Sequence, residues 1–371
     1  MGVPELELPP GLTLGAGRTT RTTRHWLDTF DRRLLGKGRE MWVEPAAEGA
    51  EARVVVDGWT APWPLDLAPK VVRPAELPPA VADRLGDVLA DRALVPLASA
   101  VVTESEHGVR DEEQKTVCRV LVQRAGAVRR VEVRPLRGYE KEEERVAAAL
   151  GDSASPPDGR PALVRAVLDA AGATEAPGSG SAGTGLDPKA PVGVGVAQIL
   201  GRLLDTVAAN LEGTLGRYDD EFLHDLRVAV RRGRTALKIA RGFVDPAPAE
   251  LLAGELKWLG DMTTPARDLD VHLQDAPGMA AGVDEELRGH LQPFVDLLRA
   301  KQDQAYCDLA AALTSERFER LTADLPGLLS ELQPPIEWEN AVVTTDELAR
   351  AALEKTFSRV VKRGRRLAPE S

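Results

Sequence analysis

One segment of the chain gathers its cations on a single side of a helix. In LHDLRVAVRRGRTALKIARGF (Leu223–Phe243), His224, Arg227, Arg231, Arg234, Lys238 and Arg241 recur every three or four residues. At about 100° per residue they fall within an arc of roughly 100°. Leu226, Val230, Gly233, Leu237 and Ala240 lie beside that arc and continue round to the back. From His224 to Arg241 there are six Lys and Arg and one acid, Asp225. A solvated helix face tends to mix signs, because opposite charges four residues apart pair. This one does not. Cations at that spacing repel by a few tenths of a kcal/mol per pair, and an anion with repeating charge laid along the row would offset the repulsion. Arginine suits phosphate, since its planar fork donates two parallel hydrogen bonds to a pair of oxygens. His224, at the head of the row, either donates to phosphate or stays neutral and orients an arginine. The chemistry implied is polyanion binding, and no catalytic residue is assigned.

A second row lies near the C-terminus. In ALEKTFSRVVKRGRRL, Lys355, Arg359, Lys362 and Arg366 share an arc of roughly 60°. It serves either as a further anion contact or as a solvated basic tail. Lys257 and Arg267 stand between the rows. Arg267, Asp268 and Asp270 offer either metal ligation or an Arg–Asp pair that orients a helix end. Two acids without further ligand spacing make a poor metal site, so the pair is expected and no metal.

The elements that must carry these residues are helical. Val196–Leu215, Leu223–Phe243, Ala249–Met262, Val283–Leu313 and Thr345–Leu367 carry apolar residues at i, i+3, i+4 and i+7. Pro246 and Pro248 close one helix and set up the next, and Thr264-Pro265 reads as an N-cap and first-turn proline ahead of another short helix. Residues 194–371 are therefore expected to form an all-α helical bundle. Ahead of it, APGSGSAGTGLDPKAPVG (Ala176–Gly193) has linker composition. Residues 1–175 mix strand and helix. Ala52–Asp57, Thr116–Gln123 and Arg129–Pro135 alternate as half-buried strands do, the last two forming a hairpin across Arg124–Val128. Ala80–Leu94 and Pro161–Ala173 have helical spacing. The first domain is expected to be α+β with an antiparallel sheet.

The bulk numbers limit the function. The 371 residues carry a net charge of −11, with 43% hydrophobic and 28% charged residues, so a globular chain of two domains is expected. Neither part is basic: Pro191–Ser371 holds 22 Lys and Arg against 29 Asp and Glu, the rest 25 against 29. An anion site must come from local segregation of charge. No apolar run is read as spanning a membrane, and no signal peptide is read at the N-terminus. Cys118 and Cys307, the only cysteines, imply no disulfide framework, and a cytoplasmic location is expected.

HDLRVAVRRGRTAL (His224–Leu237), followed by ELKWLG and ARDLDV, resembles the conserved histidine α-helical domain, CHAD, over about Pro191–Ser371. The resemblance implies two similar helical halves around a basic groove that binds inorganic polyphosphate. By matching motif positions, His224, Arg227, Arg231, Arg234, Lys238, Lys257 and Arg267 would line it. Family members continue into a second His-x-x-Arg helix, which this sequence lacks, so the second half is expected to be incomplete and a homodimer to supply the missing rows. The first domain resembles CYTH, the triphosphate-tunnel fold, through HWLDTFDRRLLGKG (His25–Gly38), RALVPLA, KTVCRVLV and VEVRPLRGYE. Catalytic members carry Glu-x-Glu-x-Lys on the first strand. Here Glu5-Leu-Glu7-Leu runs into Pro9, and Met41-Trp42-Val43-Glu44 stands where an arginine-rich strand is usual. A non-catalytic relic is expected, with Mg²⁺ relevant only if the domain were active. Arg18, Arg21, Arg24, Arg32 and Arg33 keep phosphate binding open there.

Three functions remain: a polyphosphate-binding module that localises or organises the polymer, at granules in the cytoplasm; a triphosphate hydrolase; and a nucleic-acid binder using the same stripe. The first is preferred. The stripe has no interleaved aromatics for base stacking, and the net acidity disfavours a long sugar–phosphate duplex.

Overall fold

The computed structural model describes residues 6–46, 52–68, 70–151, 154–155, 162–173 and 185–365. The chain divides into two compact units, Met1–Pro177 and Gly178–Ser371.

The first unit is built on β1 (Thr13–Thr29), β2 (Met41–Pro45), β3 (Ala52–Val56), β4 (Trp59–Trp63), β5 (Leu94–Arg110), β6 (Thr116–Ala125), β7 (Val128–Pro135) and β8 (Ala154–Ser155). They form one sheet in the order β4-β3-β2-β1-β5-β6-β7-β8. The first seven pair antiparallel, and the two-residue β8 adds to β7 in parallel. Helices α1 (Arg33–Gly36), α2 (Pro79–Leu85), α3 (Glu140–Leu150) and α4 (Ala162–Ala170) accompany it. Trp26, Trp42, Val55, Val102 and Ala125 pack with Leu163, Val164 and Leu168 of α4, while Val109, Val120, Val131 and Val133 pack with Val146 and Leu150 of α3. The α+β expectation with an antiparallel sheet thus describes this unit.

Several details differ from the sequence reading. The expected hairpin is β6–β7, but its turn is only Gly126-Ala127, with Ala125 paired to Val128; Gly126 supplies the positive φ, +58°, that so tight a turn requires. The helix expected over Ala80–Leu94 stops at Leu85, because Gly86 turns to φ +55° and Leu94 already belongs to β5. The 17-residue β1 lacks an alternating apolar pattern and was not expected as a strand; its pairing along β5, from Thr13↔Arg110 to Thr29↔Leu94, holds it extended.

The second unit is helical: α5 (Val192–Leu215), α6 (Asp220–Ile239), α7 (Pro246–Ala281), α8 (Glu285–Arg288), α9 (Gln292–Leu313), α10 (Glu316–Ser330) and α11 (Thr345–Gly364). Its core joins Val196, Leu200 and Val207 of α5, Leu223, Leu226, Val230 and Leu237 of α6, Leu252, Leu256 and Leu259 of α7, and Leu309 and Leu313 of α9. Asp219 caps α6 by accepting from Glu221 N at 2.9 Å and Phe222 N at 3.3 Å, and Asp245 caps α7 ahead of Pro246.

Thr264-Pro265 does not begin a helix. The single helix α7 passes through Pro265 and Pro277. Its buried positions Leu252, Leu256, Leu259, Thr263, Ala266 and Asp270 keep one helical phase across the proline, so packing outweighs the lost hydrogen bond. The α10 helix was not foreseen. Of the expected linker Ala176–Gly193, positions up to 184 lie outside the described residues, and its last part is not linker-like. Val192 N donates to Val343 O, Thr345 N to Ala190 O and Asp346 N to Pro188 O, pinning it to the start of α11. The expectation that no segment is apolar enough to span a membrane also needs correction. By length and composition α5 would pass, with a mean hydropathy of 1.4 over its best window. Here its apolar residues join the bundle core.

Candidate functional site

The cation row and α7 are brought together by close helix packing. An added Cβ at Gly233 on α6 would lie 3.0 Å from Leu256 Cδ1, and one at Gly260 on α7 would lie 3.4 Å from Arg234 Nη1. Small residues on both helices let the backbones approach, and Asp219 fixes where α6 starts and hence which way its row faces.

Two adjoining clefts follow this seam. The first, of about 290 Å³, is lined by His224, Arg227, Arg231, Arg234 and Arg267 over Gly260, Asp261, Thr263 and Thr264. The second, of about 680 Å³, is lined by Arg234, Lys238, Arg241 and Lys257 together with Leu237, Val244, Ala253, Glu250 and Trp338. Arg234 belongs to both. All eight cationic or histidine positions expected there, from α6, the turn after it and α7, therefore line one or both of two adjoining clefts.

Within them the residues differ in their freedom. Arg227 is half-buried and its Nη1 is committed to α7, reaching Thr263 Oγ1 and Thr264 Oγ1 at 2.9 Å each and Gly260 O at 3.4 Å. Burial, and the nearby charges of Arg267 and Arg231, lower its pKa, while Asp268 opposes the shift. The positive charges are crowded enough to disfavour one another, as the sequence spacing implied. Lys257 Nζ donates to Asp261 Oδ2 at 2.5 Å; that hydrogen bond, followed by the charges of Lys257 and Arg234, holds the Asp261 carboxyl below its usual range. Arg231, Arg234, Lys238 and Arg241 are exposed.

Among the described residues Arg267 forms no ion pair with Asp268 or Asp270, from which an Arg–Asp pair was expected; its Nη1 approaches the Asp220 carbonyl at 3.5 Å. Asp270 is buried and accepts from Gln302 Nε2 at 2.7 Å and Tyr306 OH at 2.9 Å. It ties α7 to α9. Burial raises its pKa. Among the described residues no group of three or more His, Cys, Asp and Glu could hold a metal.

The second row is not brought to these clefts. Lys355, Arg359 and Lys362 stand exposed on α11 and line neither cleft; Arg366 lies outside the described residues. Thr263, Thr264, Glu250 and Trp338 were not foreseen. Trp338, some 97 residues beyond Arg241, left no trace in the α6 pattern.

In the first unit the arginines are largely consumed by structure. Arg24 is buried, with Nε 3.3 Å from Glu44 Oε2 and Nη2 2.8 Å from Glu104 Oε2, and its guanidinium lies 4.4 Å from the Trp42 ring centroid. Glu44 also holds Arg53 at 2.7 Å. Gln123 donates to Glu104 and Arg130 to Gln123, extending the ladder across the sheet. Arg32 donates to Ala173 O and Arg33 to Leu89 O and Asp31. Only Arg18 and Arg21 of the five are exposed.

Residues 198–371 match the family model of the CHAD domain, so this region of the chain carries a CHAD domain. A solved structure, the CHAD domain from the plant Ricinus communis, is 25% identical, with a TM-score of 0.39. The match covers 50% of this chain and 60% of that one. No curated protein matches the chain.

Proposed function

We propose that the helical unit binds inorganic polyphosphate along the α6–α7 seam. The supporting observation is geometric: seven cations and His224 line two adjoining clefts along the seam, with Arg234 shared between them. CHAD domains are associated with polyphosphate in general, which agrees with that geometry. Arg227 Nη1 is spent on α7, which leaves Nε and Nη2 of the same fork to donate to a phosphate. The ring of Lys257 with Asp261 opens when an anion competes for the lysine. A linear anion suits the seam better than a duplex, because acidic surface beyond it would repel a wide polyanion. Such binding would localise the chain to polyphosphate granules in the cytoplasm.

The first unit supports binding or scaffolding over hydrolysis. Its CYTH-like face has carboxylates and arginines neutralising each other, Arg24 with Glu44 and Glu104, so few cations remain to meet a triphosphate.

The test compares polyphosphate, RNA and DNA at physiological salt, with wild type and an Arg231→Glu/Arg234→Glu variant. Wild type should prefer polyphosphate, and the variant should lose it with its circular dichroism unchanged. Equal binding of RNA, or retained affinity in the variant, would overturn the proposal.

A further inference from the structure

The second cleft is built unlike the first. It is more than twice as large, and Leu237, Val244, Ala253 and Trp338 contribute apolar wall. An inorganic phosphate chain has no use for such a wall: its oxygens are charged and hydrated, and setting them against carbon costs desolvation. Nor is Trp338 a stray surface aromatic. Although 41% exposed, its loop is anchored to the turn after α6, with Asn340 Nδ2 donating to Gly242 O at 3.0 Å. The loop is closed on itself, Trp338 N donating to Pro335 O at 3.0 Å and Ala341 N to Trp338 O at 2.9 Å. An indole on an anchored loop, aliphatic carbon and a cation row leading away are the parts a flat aromatic group with an anionic tail requires.

We propose that this cleft takes the base of a purine nucleoside polyphosphate, stacked on Trp338, with the phosphates running past Arg234 towards Arg231 and Arg227. The inference rests on the reading that the α6 row binds phosphate chains, and adds what can stand at the chain's end. Glu250 fixes the direction. A carboxylate in this cleft repels phosphate and accepts N–H from a base edge, so the base lies beside Glu250 and the phosphates lie beyond Arg234. Lys238, Arg241 and Lys257 flank the path between. Stacking on an indole tolerates either purine.

The experiment is isothermal titration of the full chain with ATP, GTP and inorganic tripolyphosphate, in physiological salt with a chelator. Tripolyphosphate carries the greater charge, so charge alone would favour it. The nucleotides should instead bind about tenfold tighter, an advantage of the size base–aromatic stacking supplies. Trp338→Ala should abolish that advantage while shifting tripolyphosphate affinity by less than about twofold, and Trp338→Phe should retain most of it. If ATP and GTP bind no tighter than tripolyphosphate, the base site is wrong while the polyphosphate reading stands. An advantage that survives in Trp338→Ala overturns the assignment to this cleft. If neither tripolyphosphate nor long-chain polyphosphate binds, both readings fall.

Discussion

Arg227 on α6 donates from a single guanidinium nitrogen to the Thr264 hydroxyl on α7 at 2.9 Å, and to Thr263 at the same distance. One side chain is thus both a strut between the helices and a wall of the first cleft. Replacing Arg227 with Met keeps much of its bulk and removes these charged hydrogen bonds, each worth about 1.5–3 kcal/mol. The helical unit should lose stability by about that much in urea unfolding. Arg231→Glu, at an exposed position, should change stability by no more than about 0.5 kcal/mol. Equal and small effects at both sites would remove the strut role.

A second prediction concerns pH and the turn Asp28–Leu35. Asp28 is buried and accepts from Thr29 N at 2.7 Å and from Leu34 N and Leu35 N at 2.9 Å each. Burial nonetheless pushes its carboxyl from 3.8 up to about 6. The folded form therefore holds the proton more tightly than the unfolded one. The resulting stabilisation is complete below pH 3.8 and is lost as pH rises through about 6. That difference in proton affinity corresponds to about 3 kcal/mol. Asp28→Asn cannot titrate there, so the stability of wild type relative to the variant should fall by that order between pH 4 and pH 7. A difference that stays flat across the range would mean Asp28 is ionised throughout.

What could be read from the sequence followed from how local its cause was. The α6 row was legible because every residue in it belongs to one helix with a 3.6 period, and Gly126 was legible as part of a turn. Pro265 misled because a local rule, that proline opens helices, lost to the buried stripe from Leu252 to Asp270. The strand β1 was missed because its extended shape comes from pairing with β5, about 80 residues on. Trp338 and the threonine partners of Arg227 were invisible for the same reason: they meet α6 only through tertiary contact.

The neutralised face of the first unit gives a third prediction. Triphosphate hydrolysis needs unpaired cations to offset developing charge, and carboxylates free to hold a metal. Arg24 is instead clamped between Glu44 and Glu104, and Glu44 also receives Arg53. With Mg²⁺ or Mn²⁺, tripolyphosphate and ATP should release no phosphate above a buffer control in a colorimetric assay. Steady metal-dependent turnover that disappears in Glu44→Gln would show that these pairs open for catalysis.

The last prediction concerns α11. Leu353, Phe357 and Val360 follow one another at helical spacing and are 71%, 71% and 63% exposed, so the helix shows solvent a stripe of apolar carbon. Its acids, Asp346, Glu347 and Glu354, occupy the first half together with one cation, Arg350, and its other cations, Lys355, Arg359, Lys362 and Arg363, the second. Two copies laid antiparallel about a two-fold axis would join the stripes and set the acidic half of each helix against the basic half of the other. The opposed helix dipoles favour the same arrangement. Light scattering on the 371-residue chain should therefore report a dimer at micromolar concentration. Phe357→Glu should give a monomer with unchanged helicity, because Phe357 is exposed and the bundle core does not include it. The dimer should also weaken with salt to the extent that the paired halves are screened. A monomeric wild type would leave the stripe without a second copy as its cover.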